Sequence, residues 1–180
     1  MVLTETEMTR LWLLRKGYEP LRSDCRISRS DGADLLQAAR TECRLWYEDL
    51  LLHGPLDALE TEDIKDRDDL LISATLLSSS IVTLPPDCIR VAAVKLRSWH
   101  APAEIVPGDS PLGRLQYAAY ASGGPVSPVA VLLPGNRLEL FSNTYENSDT
   151  LEYLLCVLRP VPDEEGAPLY RFRPSALSLL

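Results

Sequence analysis

The main change in the spacing of apolar positions along this chain comes near residue 70. Near the N-terminus the spacing is helical. Leu11, Trp12 and Leu14 give a short apolar face. Thr4 and Glu7 have the spacing of a capping box, and Gly17 stands where a helix can end. A first helix is therefore predicted over residues 5–16. Residues 18–30, YEPLRSDCRISRS, hold no clean period and read as a loop. After Ser30-Asp31-Gly32 comes the strongest helical pattern. Leu35, Leu36, Ala39, Cys43, Trp46, Tyr47 and Leu50 recur at i, i+3, i+4, i+7 spacing. Arg40, Arg44, Glu48 and Asp49 populate the other faces. Ser30 or Asp31 can cap the start, and His53-Gly54-Pro55 stops the helix.

Beyond residue 69 the period becomes two. Leu70–Thr75 and Ser80–Leu84 are short apolar or β-branched runs. Across residues 90–99, Ala92, Val94 and Leu96 share one parity, with Lys95 and Arg97 on the other. That predicts a strand with the first set buried and the basic pair outward. Residues 101–113 read as irregular. Ser110-Pro111 opens a short helix over residues 112–121, with proline at the favoured first position, and Gly123-Gly124-Pro125 closes it. Val129–Leu133 and Arg137–Ser142 flank Pro134-Gly135-Asn136, which is turn chemistry for a hairpin. Leu151–Leu158 reads as a last strand before Pro160 and Pro162.

This order predicts an α+β fold: N-terminal helices packed with a small, mostly antiparallel β-module of sandwich or barrel type. Three regions are expected. Residues 1–68 are helical with an acidic connector, 69–162 form the β-module with one short helix, and 163–180 are an extended tail. With 180 residues, 46% of them hydrophobic, the chain can form one domain or two small lobes. The fourteen prolines gather after Pro85, which agrees with strands and loops there.

Net charge is −8, and residues 51–70 hold most of the deficit, with seven acidic and two basic side chains. An acidic chain is unsuited to gripping nucleic acid, which requires clustered Lys and Arg, but is suited to letting it pass. Asp57, Glu60, Glu62, Asp63, Asp66, Asp68 and Asp69 lack the order of a calcium loop and read as a solvated connector. Cys25, Cys43, Cys88 and Cys156 show no paired spacing. They read as reduced, buried thiols of a cytoplasmic chain without leader or membrane span. His53 reads as a cap on helix carbonyls and His100 as a surface or turn residue. Cys88 and His100 lie at opposite ends of a predicted strand, so a thiolate–base pair would need a sharp fold-back. No phosphate loop or nucleophile elbow occurs. Catalytic residues, metal ligands and cofactor sites are all expected to be absent.

One stretch resembles a known family. Leu84-Pro85-Pro86-Asp87, Val94-Lys95-Leu96 and Ser98-Trp99 are similar to a pattern in head–tail connector (adaptor) proteins of tailed bacteriophages, in the form found with Bacteroides-type hosts. Asp109-Ser110-Pro111, GPVSPV at 124–129 and LELFS at 138–142 add to it. So do the helix with Trp46-Tyr47 and the following GPLDAL. The resemblance covers residues 33–162. Proteins of this kind continue into a C-terminal helix rich in small and apolar residues, where this chain has SALSLL.

The resemblance implies a virion structural protein of the neck or tail, assembled in the host cytoplasm. It would be a non-enzymatic subunit of a homo-oligomeric ring, by family analogy a dodecamer. The ring would lie below the portal and contact portal and adjacent neck or tail ring proteins. DNA would pass through without specific binding. On that reading Trp99 is expected at the rim of the β-module as an anchor, Asp87 fixes the turn, and Cys88 and Ile89 are core. Tyr170, Arg171, Phe172 and Arg173 are expected to order on a neighbouring subunit. Two rival readings are kept. One is a glycan- or peptide-binding β-module using Trp99, Tyr117, Tyr120 and Tyr153. The other is a thiol-dependent enzyme.

Overall fold

The computed structural model describes residues 1–17, 34–75, 79–118, 121–141 and 150–180, and the fold is α+β. In chain order the elements are β1 (Val2–Leu3), α1 (Glu5–Arg15), α2 (Leu35–His53), β2 (Glu62–Asp63), β3 (Leu71–Ala74), β4 (Ser80–Thr83) and β5 (Cys88–Leu96). Then follow β6 (Glu104–Pro107), α3 (Pro111–Leu115), β7 (Val129–Leu133), β8 (Arg137–Leu140), β9 (Leu151–Leu158) and β10 (Tyr170–Arg171). Short 3-10 turns occupy Leu56–Ala58 and Pro174–Leu179.

The chain divides into two compact units. Met1–Glu60 joins Arg159–Leu180 in a helical unit, and Thr61–Leu158 forms a β-sandwich. This differs from the expected division at residue 68 and from the expected separate tail. Residues 61–68 fold with the strands, because β2 pairs with β9 and Ile64 is fully buried. The acidic run is thus not simply a solvated connector. The Asp63 carboxylate accepts the Leu154 N–H at 2.9 Å.

In the helical unit the capping box forms as its spacing predicts. Thr4 N–H donates to Glu7 Oε2 at 2.8 Å, and Glu7 N–H donates to Thr4 Oγ1 at 3.3 Å. The buried face of α1 is Met8, Thr9, Trp12 and Leu13 rather than Leu11, Trp12 and Leu14. Leu14 is 44% exposed. The Thr9 hydroxyl is satisfied by Glu5 O at 2.7 Å, so it can be buried at little cost. In α2, Ala39, Cys43, Tyr47 and Leu50 are buried as expected, with Leu51 added and Leu36 left outside. Asp34 caps α2 by accepting Leu36 N–H at 2.9 Å. The loop 18–30, the expected caps Ser30 and Asp31, and Cys25 lie outside the described residues. At the other end of α2, His53 Nδ1 sits 3.0 Å from Asp49 Oδ1, so its partner is a side chain one turn back.

The tail closes this unit. β10 pairs antiparallel with β1, with Leu3 opposite Tyr170. Phe172 N–H donates to Met1 O at 3.1 Å, and Arg173 N–H donates to Ala58 O at 2.9 Å. Tyr170, Phe172 and Ala176 are buried. Their rings meet α2: Tyr47 and Tyr170 are 5.1 Å apart, and Trp46 stands edge-on to Phe172 at 5.6 Å. Such ring pairs add to the burial term.

The sandwich consists of a three-stranded sheet in the order β2-β9-β5 and a five-stranded sheet in the order β3-β4-β8-β7-β6. Among the described residues all strand pairs are antiparallel except β6 with β7. Val82, Ala130, Leu138 and Leu140 of one sheet share a core with Val94, Leu96, Leu154 and Cys156 of the other. The parity prediction for β5 holds: Val94 and Leu96 are buried, Ala92 is half-buried, and Lys95 turns out to Glu152 at 2.8 Å. The hairpin also forms as predicted, with Gly135 at φ 78° and Asn136 at φ 56°. Both are left-handed conformations that Gly and Asn tolerate.

Two expectations fail here. The segment read as irregular contains β6, because its backbone pairs with β7. Helix α3 ends at Leu115 rather than near 121. The Gln116 side chain donates to Leu112 O at 3.1 Å and accepts Gly123 N–H at 2.6 Å, so it occupies backbone groups at the helix end. The end of that predicted helix at 119–120 and the end of the hairpin strand at Ser142 lie outside the described residues.

Candidate functional site

The LPPD stretch forms a tight turn, with Cys88 N–H donating to Pro85 O at 3.0 Å. Two side chains fix it. Asn136 Nδ2, at the tip of the β7–β8 hairpin, donates to Pro85 O at 2.7 Å. Arg67 donates from Nη1 to Asp87 Oδ2 at 2.8 Å. The other edge of the same guanidinium grips Asp69 through two bonds, at 2.9 and 2.7 Å. These hydrogen bonds hold the Asp69 carboxyl below its ordinary range and raise the Arg67 pKa. One arginine thus ties the acidic run to the turn that launches β5.

Trp99 is not at a rim. It is 2% exposed and lies in the core between the two sheets. A turn closed by Trp99 N–H donating to Leu96 O places it there. Cys88 is core as expected, whereas Ile89 is half-buried. Tyr170 and Phe172 are also interior, packed within their own unit, so they are not free to order on a neighbour. Arg171 and Arg173 remain on the surface, with Arg171 Nε 3.1 Å from Glu60 Oε2. The Arg171 backbone is held on both sides by one phenol. Its N–H donates to Tyr47 Oη at 2.8 Å, and Tyr47 Oη donates to Arg171 O at 3.0 Å. Burial pushes the Tyr47 pKa up to about 12.

The thiols are inward. Cys43, Cys88 and Cys156 are free and buried. Cys88 and Cys156 contact each other across β5 and β9; that contact and burial push the Cys156 thiol up. Burial pushes Cys43 up to about 12. His100 is exposed beyond the far end of β5 from Cys88, with its N–H on Pro125 O. The structure does not bring that pair together.

A polar cluster that the sequence reading missed lies on the outer face of the five-stranded sheet. Glu139 is 5% exposed. Its carboxylate accepts Ser79 Oγ–H at 2.6 Å and Tyr117 Oη–H at 2.7 Å. Thr75 Oγ1 lies 2.6 Å from Ser79 Oγ and donates to it, since the Ser79 proton goes to Glu139. Burial and then the Glu139 bond push the Tyr117 pKa up to about 12. The cluster links the β3–β4 connection to the segment after α3. Ser79 is itself buried, so the arrangement serves as a lock and offers no open nucleophile. In the sequence, Glu139 between two leucines reads as an outward strand position. Only the cover over that sheet face, around Leu112, Val131 and Phe141, makes it interior.

The helical unit carries an open groove of about 370 Å³ between α2 and the returning chain, with Pro160, Pro162 and Pro168 along one wall. Its arginines are engaged: Arg159 Nη2 lies 3.1 Å from Glu48 Oε2, and Arg44 Nε lies 3.0 Å from Glu5 Oε1. The proposed glycan aromatics do not converge. Trp99 is inside the sandwich, Tyr117 stands edge-on to Phe141 at 5.2 Å on the other face of the sheet, and Tyr153 is half-buried on β9. Tyr120 lies outside the described residues. Among the described residues no cluster of His, Cys, Asp or Glu could hold a metal ion. No described helix is long and apolar enough to cross a membrane. No protein-family model matches the chain, and no curated protein matches it.

Proposed function

We propose that this chain is a structural subunit of a head–tail connector ring of a tailed bacteriophage. On this reading it sits in the virion neck below the portal. Its partners are further copies of itself, the portal and the adjacent neck or tail ring proteins. DNA passes an acidic wall without specific contacts. The reading rests on the sequence resemblance over residues 33–162. The observation that supports it best is the use made of the residues that carry the resemblance. Leu84–Asp87 form a turn fixed by Asn136 and Arg67, and Val94, Leu96 and Trp99 pack into the core, so the shared pattern maintains a shape. The clusters described above are closed locks and buried thiols, which suits a scaffold better than a catalyst.

The test is quantitative mass spectrometry on tailed phage particles purified from the host that carries this coding sequence. Peptides of the chain are expected at ring stoichiometry, about a dozen copies, relative to the major capsid protein. A chain abundant in the lysate but missing from mature particles would sink the connector reading.

A further inference from the structure

We propose that β3 is an association edge that pairs antiparallel with β3 of a second copy of this chain. The five-stranded sheet has two edges, β3 and β6. Edges with free backbone groups are normally blunted by proline, charge or a cover. β6 is blunted. It ends in Pro107, which has no N–H, and the Pro107 carbonyl accepts both the N–H and the hydroxyl of Ser110, at 3.1 and 2.6 Å. Among the described residues β3 has no such device. Its sequence, Leu71-Ile72-Ser73-Ala74, contains neither proline nor charge. Leu71 is 61% exposed and Ile72 53% exposed, so apolar side chains stand in water on both faces of the strand. Among the described residues no strand pairs its outer side. Its inner neighbour is well packed: Val82, opposite Ile72, is fully buried.

Charge argues for the occupant and its direction. Asp66, Asp68 and Asp69 immediately precede β3, and Arg67 is already held by Asp69 and Asp87. A parallel copy in register would set acidic end beside acidic end at strand spacing, about 5 Å. An antiparallel copy centred on Ile72 sets Ile72 against Ile72 and Leu71 against Ser73. The two Asp69 residues then lie about 20 Å apart at 3.3 Å per residue. That exceeds the Debye length of about 8 Å at physiological salt. The strand is thus self-complementary in one direction only, and pairing joins two five-stranded sheets into one. The contact is two-fold, whereas a cyclic ring closes through two unlike patches. The inference therefore stands independently of the connector reading.

Sedimentation velocity of the full chain over a concentration series tests it, with hydrogen exchange across residues 71–74 read at each end of the series. The wild type is expected to show a monomer–dimer equilibrium, with those amides gaining protection in the dimer. Ile72→Lys is expected to move the dissociation midpoint upward by about tenfold or more. Leu71→Lys should do the same from the other face. Unchanged circular dichroism checks that each variant is folded. A wild type that stays monomeric at its solubility limit overturns the proposal, as does a dimer that both variants leave unmoved. Ring-sized species indifferent to both substitutions overturn it while leaving the connector reading intact. A dimer that depends on β3, from a chain missing in particles, upholds the pairing and removes the ring. Protection at 71–74 that appears only with a different protein present overturns self-pairing.

Discussion

The helical unit and the sandwich close their cores by different routes. The sandwich is one continuous stretch, Thr61–Leu158, and apart from Trp99 its main core is built of aliphatic side chains and two cysteines. The helical unit is assembled from both ends of the chain, and aromatic rings join them: Trp46 and Tyr47 of α2 meet Tyr170 and Phe172 from the tail, and Trp12 of α1 meets Trp46. The sandwich distributes its stability over many strand pairs. In the helical unit a few residues more than a hundred positions from their partners carry the closure. Such a unit is vulnerable at one place, and that place is the tail.

Deleting residues 163–180 is the strongest way to break this contrast. It removes Tyr170, Phe172 and Ala176 from the interior together with the β1–β10 pair. The helical unit should lose more than the ~3–5 kcal/mol that truncating a single buried Phe or Trp costs. Peptide-resolved hydrogen exchange should show α1 and α2 losing protection while β5 and β9 keep theirs. Equal loss in both units, or none, would end the comparison.

Alkaline pH sharpens it next. Cys43 and Tyr47 of the helical unit ionise near 12 when folded, against reference values of 9.0 and 10.0. In that window the unfolded chain has given up protons that the folded chain retains, so unfolding is favoured as pH rises. Their contribution is fully present below pH 9 and is lost as pH climbs through about 12. In the sandwich Tyr117 is also raised to about 12, but its side chain is half exposed and its effect is screened, and the contacting thiols Cys156 and Cys88 shift in opposite directions, so their effects offset. Urea midpoints taken from pH 8 upward should therefore fall further for protection in α1 and α2 than for protection in β5 and β9. The reverse order would show that the tyrosine and thiol of the helical unit are not sealed from water.

The smallest expected effect lies in the sandwich lock. Glu139→Ala leaves the hydroxyls of Ser79 and Tyr117 without their acceptor, which should cost about 1–3 kcal/mol. Glu139→Gln keeps an acceptor and should cost less. Chemical denaturation of the three proteins checks this order. Equal stability would mean that water replaces the carboxylate freely and that the face around Phe141 is open.

Several features were legible in the sequence because they depend on neighbours only a few residues away. The capping box at Thr4 and Glu7, the main stripe of α2, the parity of β5 and the Pro134-Gly135-Asn136 turn all follow from backbone sterics and the periods 3.6 and 2. The core placement of Cys88 was expected from the family resemblance, and the structure has it buried. Tertiary structure decided the rest. Which side of α1 is buried depends on what packs against it, so Leu14 faces out and Met8 faces in. Trp99 is interior because a turn after β5 carries it between two sheets built from eight strands. Glu139 looks like a surface residue until the other face of its sheet is covered. The tail has no period of its own. It is ordered because Phe172 N–H meets Met1 O and Tyr47 Oη meets the Arg171 backbone. Contacts across that much chain are fixed by closure of the whole fold, and no local pattern of side chains encodes them.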